Sequence, residues 1–231
     1  MNMAGKHIVI GDWNKNMTNK IDYNGMVSLF ATPVFLSHIT DETIINDAVD
    51  NVLKLKEKTP GVQRYGGWVT DDNLQTLPEF DSLSSVLLDA AKVALDEMTI
   101  KRDSHYISCM WANTAPIGTA HGEHIHSNSI YSGVLYLRTP KGAGPTLFSD
   151  PRPVVNMLRP DYEKPNPMYL GARWGQLPKE GDLIIFPSWL PHSVETVPRN
   201  DTLGDDARIT LSFNIMIRSN VEFDTAKIEF K

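Results

Sequence analysis

The feature that most limits how this chain can fold is a change of hydrophobic period near Lys101. Upstream, apolar residues recur at helical spacing. Ile44, Ile45, Ala48, Val49, Val52 and Leu53 form one stripe, with Asp41 as the expected N-cap and Thr59-Pro60-Gly61 as the stop. Leu83, Val86, Leu87, Ala90, Ala91, Ala94 and Met98 form another, on a helix expected from about Asp81 to Met98. Ahead of both, Met26 to Ile39 reads as an extended segment that Pro33 keeps at a sheet edge. Downstream, short runs of alternating or continuous apolar residues are cut by Gly, Pro, Asn and Asp. This predicts strands near 105–113, 122–126, 130–138, 146–149, 168–172, 182–186, 192–197, 208–218 and 222–229. Helices followed by many strands give an α+β, mainly β class. Strands in that number close most simply as the two sheets of a jelly roll, cupin-like, with the N-terminal helices packed on one sheet and the barrel mouth free.

Size and charge narrow the class further. A chain of 231 residues fits a single domain of this kind. It divides into a polar segment 1–25 expected to be loose, a strand and helical support over 26–100, and the jelly-roll core over 101–231. The lone cysteine, Cys109, has no partner for an internal disulfide, which suits a reducing compartment. No stretch approaches the ~20 apolar residues of a membrane span. The N-terminus has no apolar run of the ~7–15 residues that a signal peptide needs. A cytoplasmic protein without a membrane partner is expected. The net charge of −6, with no basic cluster, argues against nucleic acid as partner.

The histidines point to chemistry. Only seven are present, yet three fall in His121-Gly122-Glu123-His124-Ile125-His126, and a fourth, His192, follows the buried-strand pattern Leu183–Phe186. Neutral imidazole suits iron, zinc, copper and nickel, and a close pair plus one distant ligand leaves coordination positions open. In a strand, His124 and His126 share a face, about 7 Å apart at ~3.3 Å per residue, with Ile125 turned away into packing. His121 and Glu123 form a competing His-x-Glu pair on the opposite face. A regular strand cannot aim both pairs at one ion, and His124/His126 is favoured over His121/Glu123 and over a merely exposed polar loop. The prolines at 187 and 191 restrict the turn that presents His192.

Arg208-Ile209-Thr210-Leu211-Ser212-Phe213-Asn214-Ile215 alternates strictly, with Arg208, Thr210, Ser212 and Asn214 on one face. That polar face is either solvated or lines a wet cavity. An arginine there could grip a carboxylate through its two-pronged guanidinium. Periodicity alone favours the solvated reading, with Arg208 paired to Asp205 or Asp206.

Taken together, several motifs resemble the 2-oxoglutarate/Fe(II)-dependent oxygenases: His124-x-His126, Ser129, Ser132-Gly133-Val134-Leu135-Tyr136-Leu137, Gly181-Asp182 through Pro187 to His192, and Arg208-Ile-Thr-x-Ser-Phe-Asn214. Leu29 to Phe35, Gly66-Gly67-Trp68 and Trp111-Ala112-Asn113 are similar to a branch of that superfamily found in marine bacteria and cyanophages. The resemblance spans about residues 26–218. It implies a double-stranded β-helix with Fe(II) at its mouth. The metal ligands would be His124, His126 and His192, and 2-oxoglutarate would be the cosubstrate. Arg208 would hold its far carboxylate, with Thr210, Asn113, Tyr131 and Tyr136 as further contacts. It also implies hydroxylation of a small molecule or peptide with O2, releasing succinate and CO2. His126 stands where the family usually has a carboxylate, which leaves the site one positive charge higher, or leaves Glu123 to complete it. Two rival readings stand beside this one: a cupin-like three-histidine dioxygenase that takes no 2-oxoglutarate, and a non-enzymatic jelly-roll binding protein using the aromatic surface near Trp174 and Trp189. The segment from Pro151 to Trp174 is expected to form a lid that sets specificity. The substrate, and the choice between monomer and homodimer, stay open.

Overall fold

The computed structural model describes residues 30–59, 63–64, 67–116, 118–152, 163, 173–195, 207–223 and 226–230. The expected loose segment 1–25 and strand 168–172 lie outside these residues, as do most of the expected lid and the pairing candidates Asp205 and Asp206. Met1–Thr32 and Pro33–Lys231 group as separate compact units, and every element named below belongs to the second.

The helical half forms where the apolar stripes predict it. Strand β1 (Phe35–His38) precedes helix α1 (Glu42–Lys58). Asp41 caps α1 by accepting the Thr43 N–H at 2.9 Å, and the Thr59 N–H closes the last turn on the Leu55 carbonyl at 3.0 Å. Short strands β2 (Gln63–Arg64) and β3 (Gly67–Val69) and two single-turn 3-10 helices lead into α2 (Asp81–Glu97). On α2 the buried stripe is Leu83, Leu87, Ala91, Ala94 and Leu95, while Met98, expected in it, lies beyond the helix and is exposed. Among the described residues, no helix is long and apolar enough to cross a membrane.

The strands that follow are β4 (Ser104–Ala115), β5 (His121–His124), β6 (Tyr131–Arg138), β7 (Thr146–Ser149), β8 (Arg173–Gln176), β9 (Asp182–Pro187), β10 (His192–Val194), β11 (Arg208–Phe223) and β12 (Ala226–Phe230). They build two antiparallel sheets, the jelly roll that the strand pattern predicts and the double-stranded β-helix that the resemblance implies. The larger has the order β1-β9-β6-β11-β4-β3-β2, with β12 paired to β11, and the smaller has the order β5-β10-β7-β8. As Pro33 suggests, β1 is an edge strand. Two boundaries differ from expectation. β5 stops at His124, and two residues on the His126 N–H donates outside its sheet, to the Ser188 carbonyl. β11 runs on to Phe223 and pairs with β12.

Strand β9 of the larger sheet is buried on both faces, and that explains its sequence. Leu183 and Ile185 of β9 pack with the helices, while Ile184 and Phe186 pack with Tyr136, Phe148 and Leu190 between the sheets. A strand covered on both faces reads as a continuous apolar run. On β11, Ile209, Leu211, Phe213 and Ile215 join the helical core. Gly133 sits opposite Phe213 in register, and a Cβ there would collide with the Phe213 ring. Each fully buried side chain of this kind, such as Leu87 or Phe213, stabilises the fold by roughly 1.5–3 kcal/mol.

Candidate metal centre

The smaller sheet carries the histidines. His192 pairs with His124 and Val194 with His121, so two steps along β10 match three along β5. This is a β-bulge. In a regular strand, residues three apart face opposite ways. The bulge turns both onto one side, and the His121 and His124 rings stack with centroids 4.1 Å apart. The expected His121/Glu123 pair on the opposite face is therefore corrected. His121 stands beside His124, and Glu123 points outward, its carboxylate accepting the Ser149 hydroxyl.

His126 joins from the loop after β5, and His192 joins from the start of β10 beneath the proline-bounded turn. The ligand atoms of His124, His126 and His192 all lie within 4.8 Å of one another. Nitrogens about 2.1 Å from one ion lie about 3 Å apart when adjacent, so closing on a metal needs only small ring movements. His124 Nδ1 lies 2.8 Å from the Gly122 carbonyl, and His192 Nδ1 lies 3.0 Å from the Leu190 carbonyl. A carbonyl only accepts, so each Nδ1 carries the proton and each Nε2 keeps a free lone pair. Burial, then neighbouring imidazoles, depress His126 to a pKa of about 4. Burial depresses His192 to about 4 against the opposing Leu190 hydrogen bond, and His121 also falls to about 4 through burial and its neighbours. These three rings are neutral at pH 7, the form that binds metal. An all-nitrogen, borderline donor set fits Fe(II).

The same cluster opens on a cavity of about 590 Å³ between the sheets. The polar face of β11 lines it, with Arg208, Thr210, Ser212 and Asn214 all at its wall. The solvated face that periodicity favours is thus overturned: a single strand's pattern cannot show that a second sheet covers its polar side. Arg208 donates from Nη1 to the Gly144 carbonyl at 3.3 Å, while its buried Nε–H has no partner among the described residues. An unpaired buried donor costs about 1–3 kcal/mol, which a bound carboxylate would recover. Burial pulls the Arg208 pKa down, opposed by Tyr136. Thr210 is in register with Asn113 on one side and Tyr136 on the other. The Tyr136 hydroxyl lies 2.6 Å from Thr146 Oγ1 and accepts the Thr146 N–H at 3.1 Å, and burial pushes its pKa up.

Tyr131 does not belong with these residues. It packs edge-on against Phe35, with centroids 5.9 Å apart, inside the helical core. It is five positions from Tyr136, an odd number, so the two face opposite sides of β6. Parity alone could have separated them. Thr146 and the Gly144 carbonyl were missed because nothing in the run 144–149 marks them as more than a strand and its entry.

Residues 109–214, which span Asn113, the histidines and Arg208, match the family model described as "Putative 2OG-Fe(II) oxygenase". No curated protein matches the chain in sequence. Among solved structures, it resembles a prolyl-4-hydroxylase from Pseudomonas putida, at 14% identity and a TM-score of 0.54 over 81% of this chain and 89% of that one. It also resembles HygX from Streptomyces hygroscopicus, solved with nickel and 2-oxoglutarate bound, at 11% identity and a TM-score of 0.53 over 80% and 82% of the two chains. A viral collagen prolyl hydroxylase from Paramecium Bursaria Chlorella virus-1 is similar at 13% identity and a TM-score of 0.51 over 79% and 94%. At such identities the likeness establishes the fold. The family match, across the strands that carry the histidines and Arg208, together with the three-histidine cluster supports an oxidoreductase that uses Fe(II) and 2-oxoglutarate.

Proposed function

We propose that this protein is a 2-oxoglutarate/Fe(II) oxygenase that hydroxylates a C–H bond of a small molecule or peptide while converting 2-oxoglutarate and O2 to succinate and CO2. In this reading His124, His126 and His192 hold Fe(II), and Arg208 holds the far carboxylate of 2-oxoglutarate. The observation that carries it is the meeting, at one cavity, of three histidine ligand atoms within 4.8 Å and an arginine whose buried N–H has no partner among the described residues.

Bound iron supplies the redox chemistry that activates O2 against 2-oxoglutarate. The chain's own residues do the rest. The Gly122 and Leu190 carbonyls keep the Nδ1 protons of His124 and His192 in place and leave both Nε2 atoms for the metal. Arg208 orients the cosubstrate, with Thr210 and Asn113 beside it. The Tyr136 hydroxyl, tied to Thr146, fixes the wall of that end. Trp111, its ring centroid 5.6 Å from that of His126, forms an apolar wall beside the metal position. None of these residues has to act as a general base.

Anaerobic titration of Fe(II) and 2-oxoglutarate into the metal-free protein tests this through the visible charge-transfer band of their complex. The band is expected in the parent protein and absent in His192→Ala and Arg208→Ala. Metal binding without any band would assign the all-histidine set to a cupin-like centre that works without 2-oxoglutarate.

A further inference from the structure

The three histidines are held differently. His124 and His192 are each oriented through Nδ1 by a carbonyl. Among the described residues, no hydrogen bond reaches the His126 ring. Its place is set by its backbone, whose N–H donates to the Ser188 carbonyl at 2.9 Å.

Ser188 is wholly buried in the turn after β9 and meets the loop from His126 to Ile130 three times. Its carbonyl accepts from His126, its Oγ accepts from Ser129 Oγ at 2.8 Å, and its N–H donates to the Ile130 carbonyl at 3.1 Å. Beyond Ser188 the chain of polar groups continues inward. Ser188 Oγ lies 2.8 Å from Ser132 Oγ, and Ser132 Oγ donates to Asn214 Oδ1 at 2.7 Å. Asn214 Nδ2 donates to Cys109 Sγ at 3.2 Å. The proton directions follow from counting. A hydroxyl has one proton. Ser132 spends its proton on Asn214, so it accepts from Ser188. Ser188 spends its own on Ser132, so it accepts from Ser129. Each hydroxyl proton has one place, and such chains strengthen cooperatively. The chain ends on Asn214 and Cys109 at the cavity wall.

We infer that this directed chain, Ser129–Ser188–Ser132–Asn214, positions His126 for the metal by locking Ser188 against the His126 loop. The inference rests on the reading of His126 as a ligand. Ser188 and Ser132 do not line the cavity, so they are positioning residues.

The test is Co(II) titration of the metal-free protein, followed by the visible Co(II) spectrum, with amide hydrogen exchange across the loop. The proteins compared are the parent, Ser188→Ala, Ser132→Ala and His126→Ala. Both serine variants are expected to weaken Co(II) binding by roughly 10–100-fold, the usual effect of losing a group that orients a ligand. They should also alter the Co(II) spectrum and speed exchange at the His126 amide. Lowered Tm with unchanged Co(II) affinity and spectrum in both would overturn the inference, since the serines would then only pack. If Ser188→Ala does not fold, Ser132→Ala decides alone, because it removes the acceptor of the Ser188 proton and leaves Ser188 in place. Unchanged Co(II) binding in His126→Ala would bring down the ligand reading and this inference together. Weakened binding in His126→Ala beside intact serine variants would bring down the inference alone.

Discussion

Ile209, Leu211, Phe213 and Ile215 of β11 are excluded from solvent beneath α1 and α2, whereas Arg208, Thr210, Ser212 and Asn214, each one position away, face the cavity. The residues are neighbours in sequence, and the pleat sends them to two environments. The helical side is apolar and closely packed, and its contribution is burial. The cavity side holds polar groups at a cost, including an arginine N–H with no partner among the described residues. Stability and chemistry are thereby separated by parity along a single strand. A change on one face should leave the other's property largely intact.

Several substitutions test that separation. The largest effect is expected from His192→Ala, which should abolish Fe(II) binding and 2-oxoglutarate turnover while the β-sheet circular dichroism persists. Iron bound at parental affinity would remove His192 from the centre. On the opposite face, Phe213→Ala should cost about 3–5 kcal/mol in urea denaturation, the usual loss for a fully buried ring. The folded fraction should keep its 2-oxoglutarate affinity, and a tenfold change in that affinity would show that the faces are coupled. Arg208→Ala should weaken 2-oxoglutarate by roughly 10–100-fold, since a charged hydrogen bond contributes about 1.5–3 kcal/mol, with Fe(II) affinity unchanged.

Acid should act through the cavity side. His121, His126 and His192 titrate near pH 4 in the folded chain but near 6.5 when unfolded. Between those values the unfolded state binds more protons, so the metal-free protein should lose stability as pH falls from 6.5 to 4. Thermal melts across that range check it, and a Tm that stays flat would contradict the buried, neutral state of these rings. The smallest effect is expected from Tyr131→Phe, which should leave 2-oxoglutarate affinity unchanged, whereas Tyr136→Phe, on the cavity face, should lower it.

Much of this arrangement is legible in the sequence, for identifiable reasons. The stripes of α1 and α2 and the Asp41 cap depend on local spacing, and they form where that spacing puts them. The alternation along Arg208–Ile215 gives the correct division of faces. What it cannot show is what lies opposite the polar face, and so the solvated reading of Arg208 is the one the pattern favours. The histidine cluster is legible as a cluster. Its geometry is not, because the strand rule assumes a regular β5. The bulge against β10 brings His121 beside His124, and the exit of the chain at Ser188 carries His126.

The sequence by itself determined the helical and strand segments, the apolar and polar faces, and the candidate donors of a metal site, because these depend on periodicity and residue type. Only the tertiary structure decided that the polar face of β11 is enclosed, which face of β6, the one carrying Tyr136, borders the cavity, and that Ser188 ties down the His126 loop. Those outcomes depend on partners distant in sequence: a second sheet, a bulge in the pairing of β5 with β10, and a hydroxyl chain that joins a loop to two strands.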